Sequence, residues 1–565
     1  MAELRLTPLG GMGKVTQNMY LYEYEDEILI VDCGIGFPDI QQPGADILIP
    51  DIQHLQKLLE EGKRIVGMIL THGHDDHIAA TPYILPDLMK EGAEEFSIFG
   101  SPLTAGFANN RISDGGVKKT VDVIQDHKWY KAGSHFEFSC HAVTHSVPDT
   151  KHFFIRTPAG MIYHGTDFKI DKNPVDGIKV DEARIAEVVA KEPVLMMTID
   201  CLRVEQKDWV TSESATGPVI REQMENVAGK VLVTLMSSHI HRIQQTADAA
   251  IELGRKIVFV GRSVEQNVEV AMQLKLLDIP KDSIIDKRDI QDYRDSELCV
   301  IIAGSQGQEG SSMVRAVYGD HRSVQITNRD VVIIAAGAIP GNEIPYFSAI
   351  DELCRNGVHV VYPAIVPDLH ESGHGSAAEQ QHLLKLVNPT MVMPIGGADR
   401  HRTKFLDFVA DEIGFSRKNV VLPKHGEIVS FFKPQVEGAV GHKVVGQATI
   451  IPRIVDGLGI GDVGPKVLSE RKALGGAGMI VIVIPRHKGE LLLDNIQVVS
   501  RGFVFMQEAQ GVMTFIADET SKIVRSMEGE VTDEDMIRKI ERKLAKKLYS
   551  VIRREPLIIA EVLEM

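Results

Sequence analysis

The sequence predicts an α/β protein built from more than one domain, and three patterns predict it. From Arg5 to about Cys201, short β-rich runs alternate with Gly turns and helical stretches. From Val231 to Tyr362, apolar strands are separated by helix-length segments, the rhythm of a largely parallel sheet with Gly-bearing loops at the strand ends, where ligands sit. From Ile454 to Met565, strands flank a long amphipathic helix.

In chain order, the first region places strands at Tyr20 to Tyr24, Ile28 to Val31, Ile65 to Leu70, Phe96 to Phe99, Phe136 to Val143, Phe153 to Arg156, Met161 to His164 and Val194 to Ile199. Among them, Asp51 to Glu61 opens on an acidic residue and sets Ile52, Leu55 and Leu58/Leu59 on one helical face. The second region places strands at Val231 to Leu235, Lys256 to Val260, Cys299 to Ala303, Val331 to Ala335 and Val358 to Tyr362. Phe431 to Pro452 mixes Gly, Pro and Lys without periodicity and reads as a linker. The third region has strands at Met479 to Ile484 and Leu557 to Leu563. Its helix starts at Thr532 and Asp533, and Ile537, Ile540, Leu544, Leu548 and Val551 recur at three- to four-residue spacing. The Lys and Arg residues of that helix, Arg538, Lys539, Arg542, Lys543, Lys546 and Lys547, read first as a solvated outer face, with contact to RNA or a partner as the alternative.

At 565 residues the chain exceeds what a single core organises. Hydrophobic residues at 44% and charged residues at 25% exclude a fibrous or extensively disordered class. The five cysteines are scattered without a CxxC pair, which points away from a thiolate metal site and toward a reducing, cytoplasmic compartment. Met1 to Gly10 has no basic region followed by an apolar stretch, and the longest apolar runs, Val331 to Ala336 and Met479 to Ile484, are strand-sized. Neither export nor membrane insertion is therefore expected. A formal net charge of −17 excludes coating of nucleic acid by bulk electrostatics. A polyanion would instead be held by metal ions, backbone amides and a few placed side chains.

Directly after the strand ending at Leu70 comes Thr71-His72-Gly73-His74-Asp75-Asp76-His77, an HxHxDH pattern. Imidazoles and carboxylates at alternating loop positions converge on borderline cations such as Zn²⁺, and the small residues let the backbone fold around them. Two more candidates stand at strand ends, His145 and Asp167. Together these residues complete a two-metal set, with His72, His74 and His145 on one ion, Asp76 and His77 on the other, and Asp167 bridging. Asp32, at the end of an earlier strand, is expected to orient a ligand from behind. Two cations about 3.5–4 Å apart share a hydroxide and stabilise charge during in-line displacement at phosphorus, so no side-chain nucleophile is needed. The chain carries neither a GxSxG elbow nor a GxxxxGK[ST] loop.

The HxHxDH loop with His145 and Asp167 behind it resembles the metallo-β-lactamase superfamily. Further motifs narrow the resemblance to the ribonuclease J family of the β-CASP group: Pro8-Leu9-Gly10-Gly11, Ser238-His239-Ile240-His241-Arg242, Gly261-Arg262-Ser263, Gly304-Ser305-Gln306-Gly307, Ile339-Pro340-Gly341-Asn342-Glu343, His370-Glu371-Ser372-Gly373-His374 and Val455-Asp456-Gly457-Leu458-Gly459. The resemblance implies an αββα metallo-β-lactamase core at 1–205 and 370–435, an inserted β-CASP α/β domain at 206–369, a linker at 436–453 and a small α+β carboxy-terminal domain at 454–565. It implies Zn²⁺, one or two per chain, with Mn²⁺ or Mg²⁺ as substitutes, and single-stranded RNA with a 5′ monophosphate cut 5′ to 3′ or internally. It also implies a homodimer or homotetramer formed through the carboxy-terminal domain. By position, Asp76 and His374 serve the chemistry, Ser238, His239 and Ile240 touch substrate, and His370, Glu371, Ser372, Gly373 and His374 bind phosphate. A Ser-Gly-His turn suits that role, since it offers a hydroxyl, close backbone amides and an imidazole to an anion. A further divalent ion, a structural Ca²⁺, is implied at Asp46, the Leu48 backbone and Asp456.

The sequence departs from the family at three places, one of them Gly307-Gln308-Glu309-Gly310, where the family tends to have Gly-Glu-Pro. A Pro-Val-His-Gly-Glu segment normally supplies the last ligand of the second ion, and Pro394-Ile395-Gly396-Gly397-Ala398 stands there instead. Four donors to that ion remain (Asp76, His77, the Asp167 bridge and a shared hydroxide), so binding is expected to be weaker. Asp399 and His401 are considered as substitute ligands, with a surface role expected for both. Asp200 is kept, but Cys201-Leu202-Arg203 replace the usual Ser-Thr-Asn behind it. The sequence therefore predicts an active metal-dependent ribonuclease, with a weakly active or silent RNA-binding or scaffold paralogue as the alternative. A small-molecule hydrolase shares the HxHxDH loop but has no use for the His370 to His374 segment.

Overall fold

The computed structural model describes the chain apart from residues 1–2, 40–41, 91–94, 340, 434–440, 458, 462, 504–508 and 528–530, so Pro340, Leu458 and residues 436–440 of the expected linker lie outside the described residues. The described residues form two compact units, residues 1–37 with 48–453, and residues 38–47 with 454–565.

The larger unit contains two mixed sheets. One has eight strands in the order His442–Gln447, Glu427–Phe431, Leu4–Pro8, Tyr20–Tyr24, Glu27–Val31, Arg64–Ile69, Ile98–Gly100 and Val121–Val123. The other has six, Met391–Ile395, Val194–Asp200, Gly160–His164, Lys151–Thr157, Phe136–Ala142 and Trp129–Ala132. Successive side chains on a strand point to opposite faces, and the packing follows that period. Phe153 and Ile155 enter a core shared with Leu4, Leu6, Tyr22 and Leu29 of the other sheet, while Phe154 joins Ile185, Val188, Leu383 and Leu384 of the covering helices. Both faces of the central strands are thus buried, which is why they read as continuous apolar runs. The two facing sheets with helices outside them are the expected αββα layering.

The reading of 436–453 as a linker is corrected in part. Residues 442–447 pair antiparallel with Glu427–Phe431 and extend the eight-stranded sheet. That strand is an edge strand with Lys443, Val444 and Val445 all exposed, so backbone hydrogen bonds hold it without any apolar alternation for the sequence to display.

Five strands between 231 and 361 form the expected sheet, and every pairing in it is parallel. Its order is Lys256–Val260, Leu298–Ile302, Val231–Thr234, Val331–Ile334, His359–Val361. The chain's first strand therefore lies in the middle, and the winding direction reverses around it, the place where such sheets leave a crevice for ligands. Ser238 and His239 stand in the loop that leaves this strand, and Ile240 opens the helix Ile240–Glu252 that follows.

In the smaller unit Met479–His487 pairs with Gln497–Arg501 and Leu557–Glu564, and two helices, Ala509–Arg525 and Asp533–Ile552, cover the sheet. The Thr532 side chain caps the second helix by accepting from the Asp535 N–H. Met536, Ile540, Leu544 and Leu548 form its buried stripe, whereas Val551, expected inside, is 56% exposed because a strict four-residue step from Leu548 reaches Ile552 instead.

Candidate metal centre

The site is built from strand ends. Glu27–Val31 and Arg64–Ile69 run parallel, as do Gly160–His164, Val194–Asp200 and Met391–Ile395, and Phe136–Ala142 shares the direction of this second group. Asp200 ends its strand, and the segments that leave the others carry Asp32, His72, His145, Asp167 and Gly396.

Four of the expected ligands, His72, His74, His145 and Asp167, offer atoms that all lie within 4.8 Å of one another. His74 Nδ1 is 3.1 Å from both His72 Nε2 and His145 Nε2. Asp167 Oδ2 is 3.7 Å from His72 Nε2, 3.7 Å from His145 Nε2 and 3.5 Å from His77 Nε2. Asp76 stands on the His77 side, its Oδ2 3.7 Å from His77 Nε2. All six expected ligands are therefore brought together.

Hydrogen bonds behind the rings decide which nitrogen faces inward. Asp32 Oδ2 accepts from the Thr71 hydroxyl at 2.9 Å, so the Thr71 oxygen is left to accept from His72 Nδ1 at 3.0 Å, and His72 Nε2 keeps its lone pair. His145 Nδ1 donates to the Gly373 carbonyl at 2.6 Å, which frees its Nε2. His77 Nδ1 donates to Asp32 Oδ2 at 2.7 Å, as expected of Asp32, whose backbone lies at a φ of 62°. Burial pushes the His72 and His145 imidazoles well below the usual range and His74 down to about 3, so these rings are neutral and each carries one lone pair. Burial alone would also push His77 down, but the carboxylates of Asp167, Asp32 and Asp76 together hold it well above the usual range. Burial and the Asp167 charge raise Asp76 to about 6. Neutral imidazole nitrogens converging on a carboxylate that burial alone would penalise fit a divalent cation of the Zn²⁺ type, which supplies the missing positive charge.

Asp75 points elsewhere and takes a two-pronged ion pair from Arg111, at 2.9 and 3.0 Å. Beside His145, with ring centroids 5.1 Å apart, His374 Nδ1 donates to Asp200 Oδ2 at 2.7 Å and His374 Nε2 lies 3.9 Å from Asp167 Oδ2. Although burial opposes it, the Asp200 and Asp167 carboxylates lift His374 to about 9.

Matches to known proteins agree with this geometry. The family described as metallo-beta-lactamase superfamily matches residues 12–95, ribonuclease J, beta-CASP domain matches 228–353, and ribonuclease J C-terminal domain matches 466–565. Ribonuclease J2 of Bacillus subtilis is 30% identical over 100% of this chain and 99% of its own length. Ribonuclease J of Thermus thermophilus is 32% identical over 89% of this chain and 85% of its own. The chain belongs to the ribonuclease J family. Ribonuclease J of Helicobacter pylori is 31% identical over 99% of this chain and 79% of its own length. A crystal structure of an Enterococcus faecalis protein of unknown function shares the fold, at a TM-score of 0.52 and 13% identity, covering 76% of this chain and all of that one. Family membership makes this chain an enzyme of the metal-dependent ribonuclease class. Among the described residues, no helix is long and apolar enough to cross a membrane.

Against the ribonuclease J pattern, Gly396 is the informative position. It sits at φ +67°, and a Cβ there would meet Asp200 Oδ1 at 3.5 Å and Asp167 Oδ1 at 3.7 Å, ordinary contact distances. A side chain at 396 would thus enter the centre, and glycine leaves that place empty of a ligand. Neither considered substitute reaches it. Asp399 pairs with Arg402 at the surface, and His401 is buried with its Nδ1 accepting from the Ala398 N–H.

The other expected residues are placed as follows. Ser238, His239 and Ile240 are buried, Ile240 completely. Within 370–374, the Ser372 hydroxyl oxygen accepts from the His374 N–H at 3.0 Å, and Glu371 is half-buried. Asp46 Oδ2 accepts from the Gly457 N–H at 2.8 Å, the Asp456 carboxylate is paired with Arg471, and the Leu48 carbonyl accepts from Gly36 N at 2.8 Å.

Sequence reasoning missed Asn18 and Gly34. Asn18 Nδ2 approaches His77 Nε2 at 3.0 Å and the Asp76 carbonyl at 3.3 Å, and Tyr20 donates to Asn18 Oδ1 at 3.0 Å. Asn18 has no neighbour of its kind in sequence, so nothing short of the tertiary contact reveals it. A Cβ at Gly34 would lie 1.6 Å from the Asp76 carbonyl oxygen. Because that obstacle is backbone, Gly34→Ala is expected to displace Asp76 and His77 together. Thermal unfolding should show a loss of about 1–3 kcal/mol, and metal analysis a lower content than the parent chain.

Proposed function

We propose that this chain hydrolyses phosphodiester bonds of single-stranded RNA bearing a 5′ monophosphate, as a 5′-to-3′ exonuclease, an endonuclease or both, in RNA processing and decay in the cytoplasm. The observation that carries this reading is the gathering of His72, His74, His145 and Asp167 within 4.8 Å of one another, with the His374–Asp200 pair beside them. In this reading residues 1–205 and 370–435 form the catalytic core, 206–369 the β-CASP insertion, and 454–565 a homodimer or homotetramer contact.

His72, His74 and His145 would hold one Zn²⁺, Asp76 and His77 a second, and Asp167 both; Mn²⁺ or Mg²⁺ are the substitutes, and a structural Ca²⁺ at Asp46, Leu48 and Asp456 completes the assignment. When bound, such cations lower the pKa of water toward neutrality and offset charge on the phosphate. The chain's own groups do the rest. Gly373 and Asp32 orient His145 and His77, and Asp76 takes the proton of the attacking water. His374, held as an imidazolium by Asp200, delivers a proton from Nε2 to the leaving oxygen. The 370–374 segment binds the substrate phosphate, and Ser238, His239 and Ile240 are the substrate contacts of the β-CASP insertion.

Purified protein with added Zn²⁺ or Mn²⁺ should degrade a 5′-monophosphorylated RNA. Activity no higher than that of a His74→Ala control would refute the proposal.

Gly396 favours a second reading, a weakly active or silent RNA-binding or scaffold subunit with one metal per chain or fewer. Gly396→His discriminates between the two. A Cβ there meets only ordinary contacts, the nearest 3.5 Å away at Asp200 Oδ1, and the left-handed backbone costs about 1–2 kcal/mol. The variant should bring the zinc count toward two per chain and raise cleavage by about 10-fold or more, since even a partner behind a ligand is worth about 10–100-fold. Two tightly held ions in the parent chain would remove the support for the second reading.

A further inference from the structure

Among the described residues, the largest side chain with essentially no exposure is Arg242, at 1%. Its Nε and Nη2 donate to the two carboxylate oxygens of Glu213 at 2.8 and 2.6 Å. Its Nη1 donates to the Ala335 carbonyl at 2.8 Å and to His370 Nδ1 at 2.9 Å, and Nη2 reaches the Glu371 carbonyl at 3.2 Å. A guanidinium has five N–H groups and no acceptor, so His370 Nδ1 must accept. The proton of His370 is therefore on Nε2. Among the described residues no hydrogen bond engages that Nε2, and the ring is half-buried.

The network is anchored at both ends. Asp171 Oδ2 accepts from the Glu213 N–H at 2.9 Å, and the Asp171 N–H donates to the Thr144 hydroxyl beside His145 at 3.0 Å. His239 Nδ1 accepts from the Arg242 backbone N–H, which leaves His239 Nε2 facing Glu213 Oε2 at 3.4 Å. Arg242 thus fixes one imidazole through its backbone and another through its side chain. A buried ion pair of this kind adds little net stability over an apolar pair but is costly to break on one side, so it specifies geometry more than it stabilises.

We propose that Arg242, held by Glu213, is the positioning residue of the phosphate-binding segment. It locks His370 in the Nε2–H tautomer and pins the Glu371 carbonyl, so that the 370–374 turn presents N–H donors to an RNA 5′ phosphate. This rests on the RNA reading above. It is supported by the titration of His370, which burial and the neighbouring Arg242 charge push down to about 3, so that the donor is a neutral ring throughout the physiological range. Lysine cannot replace this arginine, because one ammonium cannot span four acceptor groups in a fixed fork.

The test uses the metal-loaded full chain and a 3′-fluorescein phosphorothioate RNA of twelve nucleotides, ending in either a 5′ phosphate or a 5′ hydroxyl, with binding read by anisotropy. The parent chain should prefer the 5′ phosphate by about 10-fold or more, the worth of charge-assisted hydrogen bonds. Arg242→Lys should lose that preference. His370→Gln, whose amide N–H lies where Nε2–H lies, should keep it within about threefold, whereas His370→Asn, whose amide mimics the Nδ1 side, should lose it. The double variant Arg242→Lys/His370→Asn should be no worse than either single one, which a merely structural arginine would not give. If Arg242→Lys does not fold, the Gln and Asn contrast at 370 still decides. A parent chain without preference overturns the phosphate reading and this inference together. A preference that survives Arg242→Lys, or that is lost equally in His370→Gln and His370→Asn, overturns this inference alone.

Discussion

Replacing His74 with alanine is expected to abolish RNA cleavage and to strip the centre of its metal. His74 Nδ1 lies 3.1 Å from both His72 Nε2 and His145 Nε2, so its nitrogen sits at the middle of the donor set. Burial holds the ring neutral, the form in which an imidazole ligates a cation. A partner behind a ligand is worth about 10–100-fold in affinity or activity. Removing a ligand should cost about 1,000-fold or more in cleavage, and metal analysis should fall below one ion per chain. Full activity with unchanged metal content in His74→Ala would remove the centre from the reaction.

The second large effect is expected at His374, through an independent group. His374→Ala should lower kcat by about 10²–10⁴-fold, the usual worth of a positioned general acid, with metal content unchanged. The pH profile gives the sign. Burial works against the charged ring, but Asp200 and Asp167 outweigh it and lift the imidazole to about 9. The acid form is therefore present at neutral pH and is lost as pH rises through about 9, which gives kcat a falling alkaline limb. A cation held at Asp167 offsets part of that attraction, so in the loaded enzyme the limb falls at or below this value. Asp200→Asn removes the 2.7 Å carboxylate partner and should move the limb to lower pH. The same raised pKa contributes folding stability that is complete below the ordinary histidine value of about 6.5 and disappears between there and about 9. A kcat limb unmoved in Asp200→Asn would take His374 out of the proton transfer.

Much of this protein is determined by its sequence alone. The apolar runs of the central strands, the Thr532 cap with its stripe at Ile540, Leu544 and Leu548, and the HxHxDH loop at a strand end are local patterns, legible because strands and helices bury side chains at fixed periods. Gly396 is equally legible, as a missing ligand in a motif. What the sequence does not contain is proximity. Asn18 reaching His77, Gly34 yielding to the Asp76 backbone, Gly373 orienting His145 and Arg242 gripping His370 each join residues whose separation along the chain carries no pattern. The edge strand at 442–447 is invisible for a related reason, since its partner is a backbone and its side chains face water. Local periodicity records which faces are buried, and only the folded chain decides which buried groups meet, because hydrogen-bond partners are selected by three-dimensional packing and not by spacing.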